Sequence, residues 1–195
     1  DANASSTGNG FLTRKQFVTL LRYAAERHIR VIPEIECPGH ARAAIVAMKA
    51  RYHKYKDTDM QRATQFLLSE STDTSRYVSA QAYTDNIMNI ALPSATAFVT
   101  YVIDEIAAMY DEAETPLQVL HLGGDEVPEG SWLGSPACQK LMQEKHFSGR
   151  EELSSYFYAG IIQYLDKKGI KYAGWQEIAS AHQPLNTPYF KSRAG

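Results

Sequence analysis

Three short apolar runs, at residues 31–35, 118–122 and 170–175, are separated by long stretches with helical spacing, and this pattern constrains the chain most. Strands joined by crossovers of that length cannot form a hairpin, so they pair in parallel. Parallel strands share one carboxyl-terminal edge. Each run ends in a polar or aromatic cluster: Glu36 and His40, Asp125 and Glu126, Trp175 and Glu177. Topology alone therefore gathers three distant clusters at one edge, where catalytic groups of α/β proteins collect.

The stretches between the runs carry helix signals. Thr13 with Gln16 fits a capping box, followed by Phe17, Leu20, Leu21, Ala24 and His28 at helical spacing. Ala41, Ala44, Ile45 and Met48 mark a second helix ending near Tyr52, and Phe98, Val99, Val102, Ile106 and Met109 a helix that starts at Pro93. Ser135-Pro136 supplies an N-cap and a proline at N1 for a helix to about Lys145. Leu153, Phe157, Gly160, Ile161, Tyr164 and Leu165 form another stripe, closed by Lys167, Lys168 and Gly169. Residues 1–12 read as a loop, and residues 53–92 as a long loop with at most one short helix.

Composition narrows the class. The chain has 195 residues, 44% of them hydrophobic and 22% charged, enough for one domain with a core. Twenty Lys and Arg against 22 Asp and Glu give a net charge of −2, with no basic tract to suggest nucleic acid. No apolar run reaches membrane-spanning length. Cys37 and Cys138 lack the spacing of a zinc or CxxC site, so buried free thiols are favoured over a disulfide. Asn3-Ala4-Ser5 fits a glycosylation acceptor.

The chemistry concentrates in residues 121–132. Val119-Leu120-His121-Leu122 reads as a buried strand, Gly123-Gly124 permits a tight exit, and Asp125-Glu126 follow at once. Adjacent acids repel if both are ionised, so one of the pair is a candidate for a raised pKa and a proton-donor role.

Three motifs in order carry a resemblance. Ile32-Pro33-Glu34-Ile35-Glu36-Cys37-Pro38-Gly39-His40-Ala41, His121-Leu122-Gly123-Gly124-Asp125-Glu126 and Gly174-Trp175-Gln176-Glu177 resemble the family-20 glycoside hydrolases, the β-N-acetylhexosaminidases and chitobiases. The resemblance implies a (β/α)8 TIM-barrel catalytic domain. Such a barrel needs about 250 residues and eight strands, so residues 1–195 read as a fragment of a single catalytic domain, its central part with about three strands.

The resemblance also implies hydrolysis of terminal N-acetylglucosamine or N-acetylgalactosamine β-glycosides by a substrate-assisted retaining route, without a cofactor or metal. Glu126 is then the acid/base, and Asp125 orients the 2-acetamido group and stabilises the positive intermediate. His40 is similar to a histidine beside the acid/base; Trp175 to a wall of the sugar pocket. Glu177 is a candidate for a sugar hydroxyl or for a simple strand cap, Trp132 for the leaving-group subsite or for simple loop packing. His121 reads as a structural histidine. A periplasmic or secreted location and amino-sugar or chito-oligosaccharide partners follow from the same resemblance.

Glu36 departs from the family pattern, standing where aspartate or asparagine is usual. The family's sugar-binding arginine, histidine-positioning aspartate, acetamido-binding tyrosine and further tryptophans have no match here, so the remainder of the barrel is needed to complete the site. Taken alone, residues 1–195 are expected to turn over little or no substrate and to self-associate. Two other readings use the same residues. One is a metal-dependent barrel hydrolase with His40, His121, Asp125 and Glu126 as ligands; the other is a non-catalytic carbohydrate-binding remnant.

Overall fold

The computed structural model describes residues 10–180. The Asn3 acceptor and most of the opening loop lie outside the described residues. The order is α1 (Arg14–Ala25), α2 (Arg42–Tyr55), α3 (Met60–Thr64), α4 (Pro93–Glu112), β1 (Val119–His121), α5 (Pro136–Lys145), α6 (Arg150–Lys167), β2 (Lys171–Ala173) and α7 (Gln176–Ser180).

β1 and β2 pair in parallel, Val119 opposite Lys171 and His121 opposite Ala173. The segment at 31–37 lies along the other edge of β1 but is not a strand, which corrects the expectation for residues 31–35. It makes one parallel bridge, Glu34 to His121. Pro33 explains the shortfall, because it has no N–H to give a ladder. Its carbonyl still accepts from His121 N–H at 3.0 Å, and Ile35 N–H donates to His121 O at 3.0 Å. β1 is therefore central, and its backbone sets the position of the chain on both sides.

The helix signals translate into local bonds. Thr13 and Gln16 close the capping box at α1. Ser135 Oγ accepts from Cys138 N–H at 3.1 Å to start α5. Glu70 joins that cap from far away, accepting from Ser135 Oγ at 2.7 Å and Ala137 N–H at 3.2 Å. Gly169, at φ +70°, ends α6 where a side chain would be strained. α2 runs to Tyr55 rather than Tyr52, and α1 stops at Ala25 before a turn that ends on His28.

Leu120 and Leu122 are fully buried against Ile103 of α4 and Leu153, Ile161 and Leu165 of α6, within one core. The stripe on α1 is Val18, Leu21 and Ala24, while Leu20 is 42% exposed. Side-chain hydroxyls tie this core to the 31–37 segment. Tyr110 OH donates to Val31 O and Tyr158 OH to Cys37 O, both at 2.9 Å. Cys37 and Cys138 are buried free thiols. Among the described residues no helix is long and apolar enough to cross a membrane.

Candidate active site

The chain leaves β1 in a left-handed coil. Gly123 and Gly124 have φ of +63° and +95°, and Glu126 reaches +51° without being glycine. A non-glycine residue there is held against its backbone preference by its surroundings. A Cβ on Gly123 would lie 2.0 Å from Glu36 Oε2, and one on Gly124 2.2 Å from Ile178 Cγ1. The glycines thus let the chain pass close to Glu36 and to α7 before the acids emerge.

His40 comes to the acids from the other edge of β1. Its Nε2 stands 3.4 Å from Asp125 Oδ2 and 3.5 Å from Glu126 Oε2. The turn that carries it is fixed by Ala41 N–H donating to Asn86 O and Met88 N–H to Pro38 O, both at 2.9 Å. Gly39 in the same turn sits against Asp125 O, 3.0 Å from where a Cβ would be.

Behind His40 lies a third carboxyl. Glu36 Oε2 and Asp125 Oδ1 are both buried and receive no N–H or O–H donor. Two ionised carboxylates cannot satisfy each other, but a shared proton can. Burial, then the neighbouring Asp125 charge and Glu34, push the Glu36 carboxyl up to about 8. Glu36 therefore carries a proton at neutral pH, and its carboxyl lies beside both Asp125 and Glu34. The sequence does not single out this upstream glutamate for a raised pKa, because its burial comes only from the fold. Burial, with Cys37, Glu36 and Asp125 nearby, holds Tyr158 well above its ordinary value, so it stays a neutral donor to the Cys37 carbonyl. Burial and Glu36 push the Cys37 thiol up to about 12.

The sign for Glu36 follows from its raised value. Its contribution is complete below 4.5, the ordinary value, and is lost as pH rises through about 8. The wild type is expected to lose stability over that interval relative to Glu36→Gln, on the order of 2 kcal/mol for a partly exposed side chain. Melting temperatures of the two proteins across this range check it, and parallel curves would remove the shared proton.

Glu126 faces a cleft of about 330 Å³ whose lining includes Trp132, Arg150, Tyr158 and Glu177. Trp132 is only 3% exposed, and its indole N–H donates to Met88 O at 2.8 Å. Most of this ring is loop packing, with an edge on the cleft. Arg150, at the start of α6, donates to Pro128 O at 2.7 Å and braces the loop after the acids. Trp175 is half-buried, edge-on to His121 with centroids 5.0 Å apart, and its N–H donates to Gly123 O at 2.9 Å. His121 Nδ1 lies 2.9 Å from Glu34 Oε1 and accepts from Gly123 N–H at 3.2 Å.

The three clusters predicted to converge are thus brought to one end of β1. Of the four residues that a metal-dependent hydrolase would use, His121 stands outside the convergent group. Among the described residues the convergent set is Glu36, His40 and Asp125, with donor atoms within 4.8 Å of one another.

Sequence reasoning missed Gln81, whose Nε2 donates to Glu126 Oε2 at 2.6 Å. It lies in an aperiodic loop, where a polar residue carries no signal. Tyr158 and Arg150 were missed for a related reason. One occupies an ordinary core position of a helix and the other an ordinary helix start, and only the packing of α6 aims them at the site.

Comparison with known proteins identifies the family. Residues 1–192 match the catalytic domain of glycosyl hydrolase family 20. Beta-hexosaminidase B of Pseudoalteromonas piscicida is 39% identical over 187 residues, covering 91% of this chain and 23% of the relative. The N,N'-diacetylchitobiase of Vibrio harveyi is 34% identical over 201 residues, covering 87% of this chain and 23% of the relative. The crystal structure of a Vibrio harveyi exo-β-N-acetylglucosaminidase in complex with N-acetylglucosamine superposes with a TM-score of 0.74 at 35% identity. That match covers 91% of this chain and 24% of that one. The chain therefore spans about a quarter of the length of these relatives. Acids after a double-glycine exit, a histidine facing both, and a match that runs nearly end to end lead to one assignment: the chain belongs to glycosyl hydrolase family 20, within its catalytic domain.

Proposed function

We infer that this chain supplies the catalytic centre of a β-N-acetylhexosaminidase working by substrate-assisted retention. The observation that carries the reading is His40 Nε2 within 3.5 Å of both acids, Asp125 at 3.4 Å and Glu126 at 3.5 Å. A two-carboxylate retaining enzyme sets its acids on opposite sides of the glycosidic bond, about 5–5.5 Å apart. Consecutive residues on one strand end suit a different division of labour. The substrate's 2-acetamido carbonyl oxygen attacks the anomeric carbon while Glu126 gives its proton to the departing glycosidic oxygen. Asp125 accepts the acetamido N–H and its negative charge stabilises the oxazolinium ion. Water then adds to the anomeric carbon, Glu126 takes its proton, and the acetamide is restored with β configuration kept.

Glu36 serves Asp125 by holding its second oxygen through the shared proton. Trp175 and Glu177 are the candidates for the sugar wall and a hydroxyl contact, and Trp132 contributes an edge to the cleft. The named relatives favour N-acetylglucosamine termini of chito-oligosaccharides as substrate.

Residues 1–195 form in this reading the central part of one (β/α)8 domain, and the isolated chain turns over little. Phe11 is 85% exposed, Ile29 59% and Ile32 40%, apolar surface suited to cover by the rest of a barrel. The test is turnover of aryl β-N-acetylglucosaminide and galactosaminide by the full-length enzyme carrying this segment. Activity is expected with the glucosaminide, abolished by Asp125→Ala and unchanged after exhaustive chelation. Loss on chelation would instead favour a metal held by Glu36, His40 and Asp125.

A further inference from the structure

Two side chains from one braced unit converge on a single oxygen of Glu126. His40 Nε2 stands 3.5 Å from Glu126 Oε2, and Gln81 Nε2 donates to the same oxygen at 2.6 Å. Gln81 sits at the tip of a turn closed on itself. Ser79 N–H donates to Tyr83 O and Ala82 N–H to Ser79 O, both at 2.8 Å, and Tyr83 N–H donates to Ser79 Oγ at 3.2 Å. Ser79 is 5% exposed, so the base of the turn is fixed in the protein. The turn is also tied to the His40 segment. Arg42 Nε donates to Asp85 Oδ1 at 2.7 Å, and its guanidinium lies 4.9 Å from the centre of the Tyr83 ring.

We propose that Gln81 is a positioning residue for Glu126, its side-chain amide fixing the direction in which the acid/base presents its proton. This rests on the reading of Glu126 as the acid/base. The Glu126 side chain is 44% exposed, so little packing restrains its carboxyl. Its other contact on this oxygen is the longer one to His40. A carboxamide suits a partner that alternates between acid and base. It gives an N–H to Oε2 in the carboxylate and the acid alike, which leaves the acid's proton on the other oxygen, free to face the substrate. A lysine or arginine would serve only one of these states. Holding the carboxyl within a narrow range of angles raises the share of substrate complexes in which the proton faces the glycosidic oxygen.

Acid assistance matters most when the leaving oxygen is basic. A sugar hydroxyl needs the proton, whereas a nitrophenolate leaves almost without it. The experiment compares Gln81→Leu with wild type in the full-length enzyme, on chitobiose and on nitrophenyl β-N-acetylglucosaminide. The expected result is a kcat on chitobiose lower by about tenfold or more. KM should stay within about threefold, and the first-step release of nitrophenol should be nearly unchanged. Equal losses in first-step release from both substrates, or no loss on either, would overturn the proposal. The underlying reading fails separately, if Glu126→Gln with Gln81 intact keeps full chitobiose turnover. A second measurement does not need turnover. The Gln81 side-chain amide proton should resonate downfield in the wild type by NMR and return to an ordinary position in Glu126→Ala. An unshifted resonance in the wild type would overturn the contact itself.

Discussion

Glu126→Gln is expected to lower chitobiose turnover by about 10²–10⁴-fold, the usual worth of a positioned general acid. In activation free energy that is about 3–5 kcal/mol. Glutamine keeps the shape and both oxygen-side contacts, since its carboxamide oxygen can still receive the Gln81 N–H and face His40. What it lacks is an acidic proton. The loss should therefore fall on kcat with little change in KM, because the interaction removed exists only in the transition state. It should shrink on nitrophenyl substrates in the first step, where the leaving group needs no proton. The second step still needs a base to take the proton from water, so slow turnover with a fast initial burst is the expected signature. Steady-state and stopped-flow assays of the full-length enzyme check both parts, and unchanged chitobiose turnover would remove Glu126 from its role.

Gly123→Ala is expected to destabilise the protein by about 2–4 kcal/mol and to cost activity as well. Two effects add. The left-handed φ of +63° disfavours any Cβ, and the new carbon would lie 2.0 Å from Glu36 Oε2. Glu36 must then move, and with it goes the protonated carboxyl beside Asp125. Gly169→Ala separates the two effects, because its φ is +70° yet a Cβ there meets nothing within 4 Å. It should cost only about 1 kcal/mol, the price of the backbone conformation alone. Denaturant unfolding of both variants gives the comparison. Equal costs would mean that Glu36 yields freely and that Gly123 is chosen for its turn and not for its neighbour.

The parts legible in the sequence are those governed by short-range rules. The capping box at Thr13, the Ser135-Pro136 start and the Gly169 stop are read from residues next to each other, and the same residues make the observed bonds. The runs at 118–122 and 170–175 contain β1 and β2, because buried parallel strands need little more than an apolar run of the right length. The run at 31–35 looked similar but carries Pro33, and one missing N–H reduces it to a single bridge. Helix faces were read to within a residue or two. Leu20 shows the limit, since helical spacing identifies a stripe without saying where its edge meets water.

The sequence by itself determined that His40, Asp125 and Glu126 would share one end of a parallel arrangement, because long crossovers permit no other pairing. It also determined which residue types stand there, and hence the class of chemistry. Tertiary structure alone decided which atoms meet. That Glu36 is lifted to about 8 depends on burial and on Asp125 and Glu34 lying beside it. That Gln81 touches Glu126 depends on a turn whose anchors, Arg42 and Asp85, are 43 residues apart. A pKa and a hydrogen bond are set by distances of a few ångströms between groups remote in sequence. Local propensity fixes the elements, and only their packing fixes those distances.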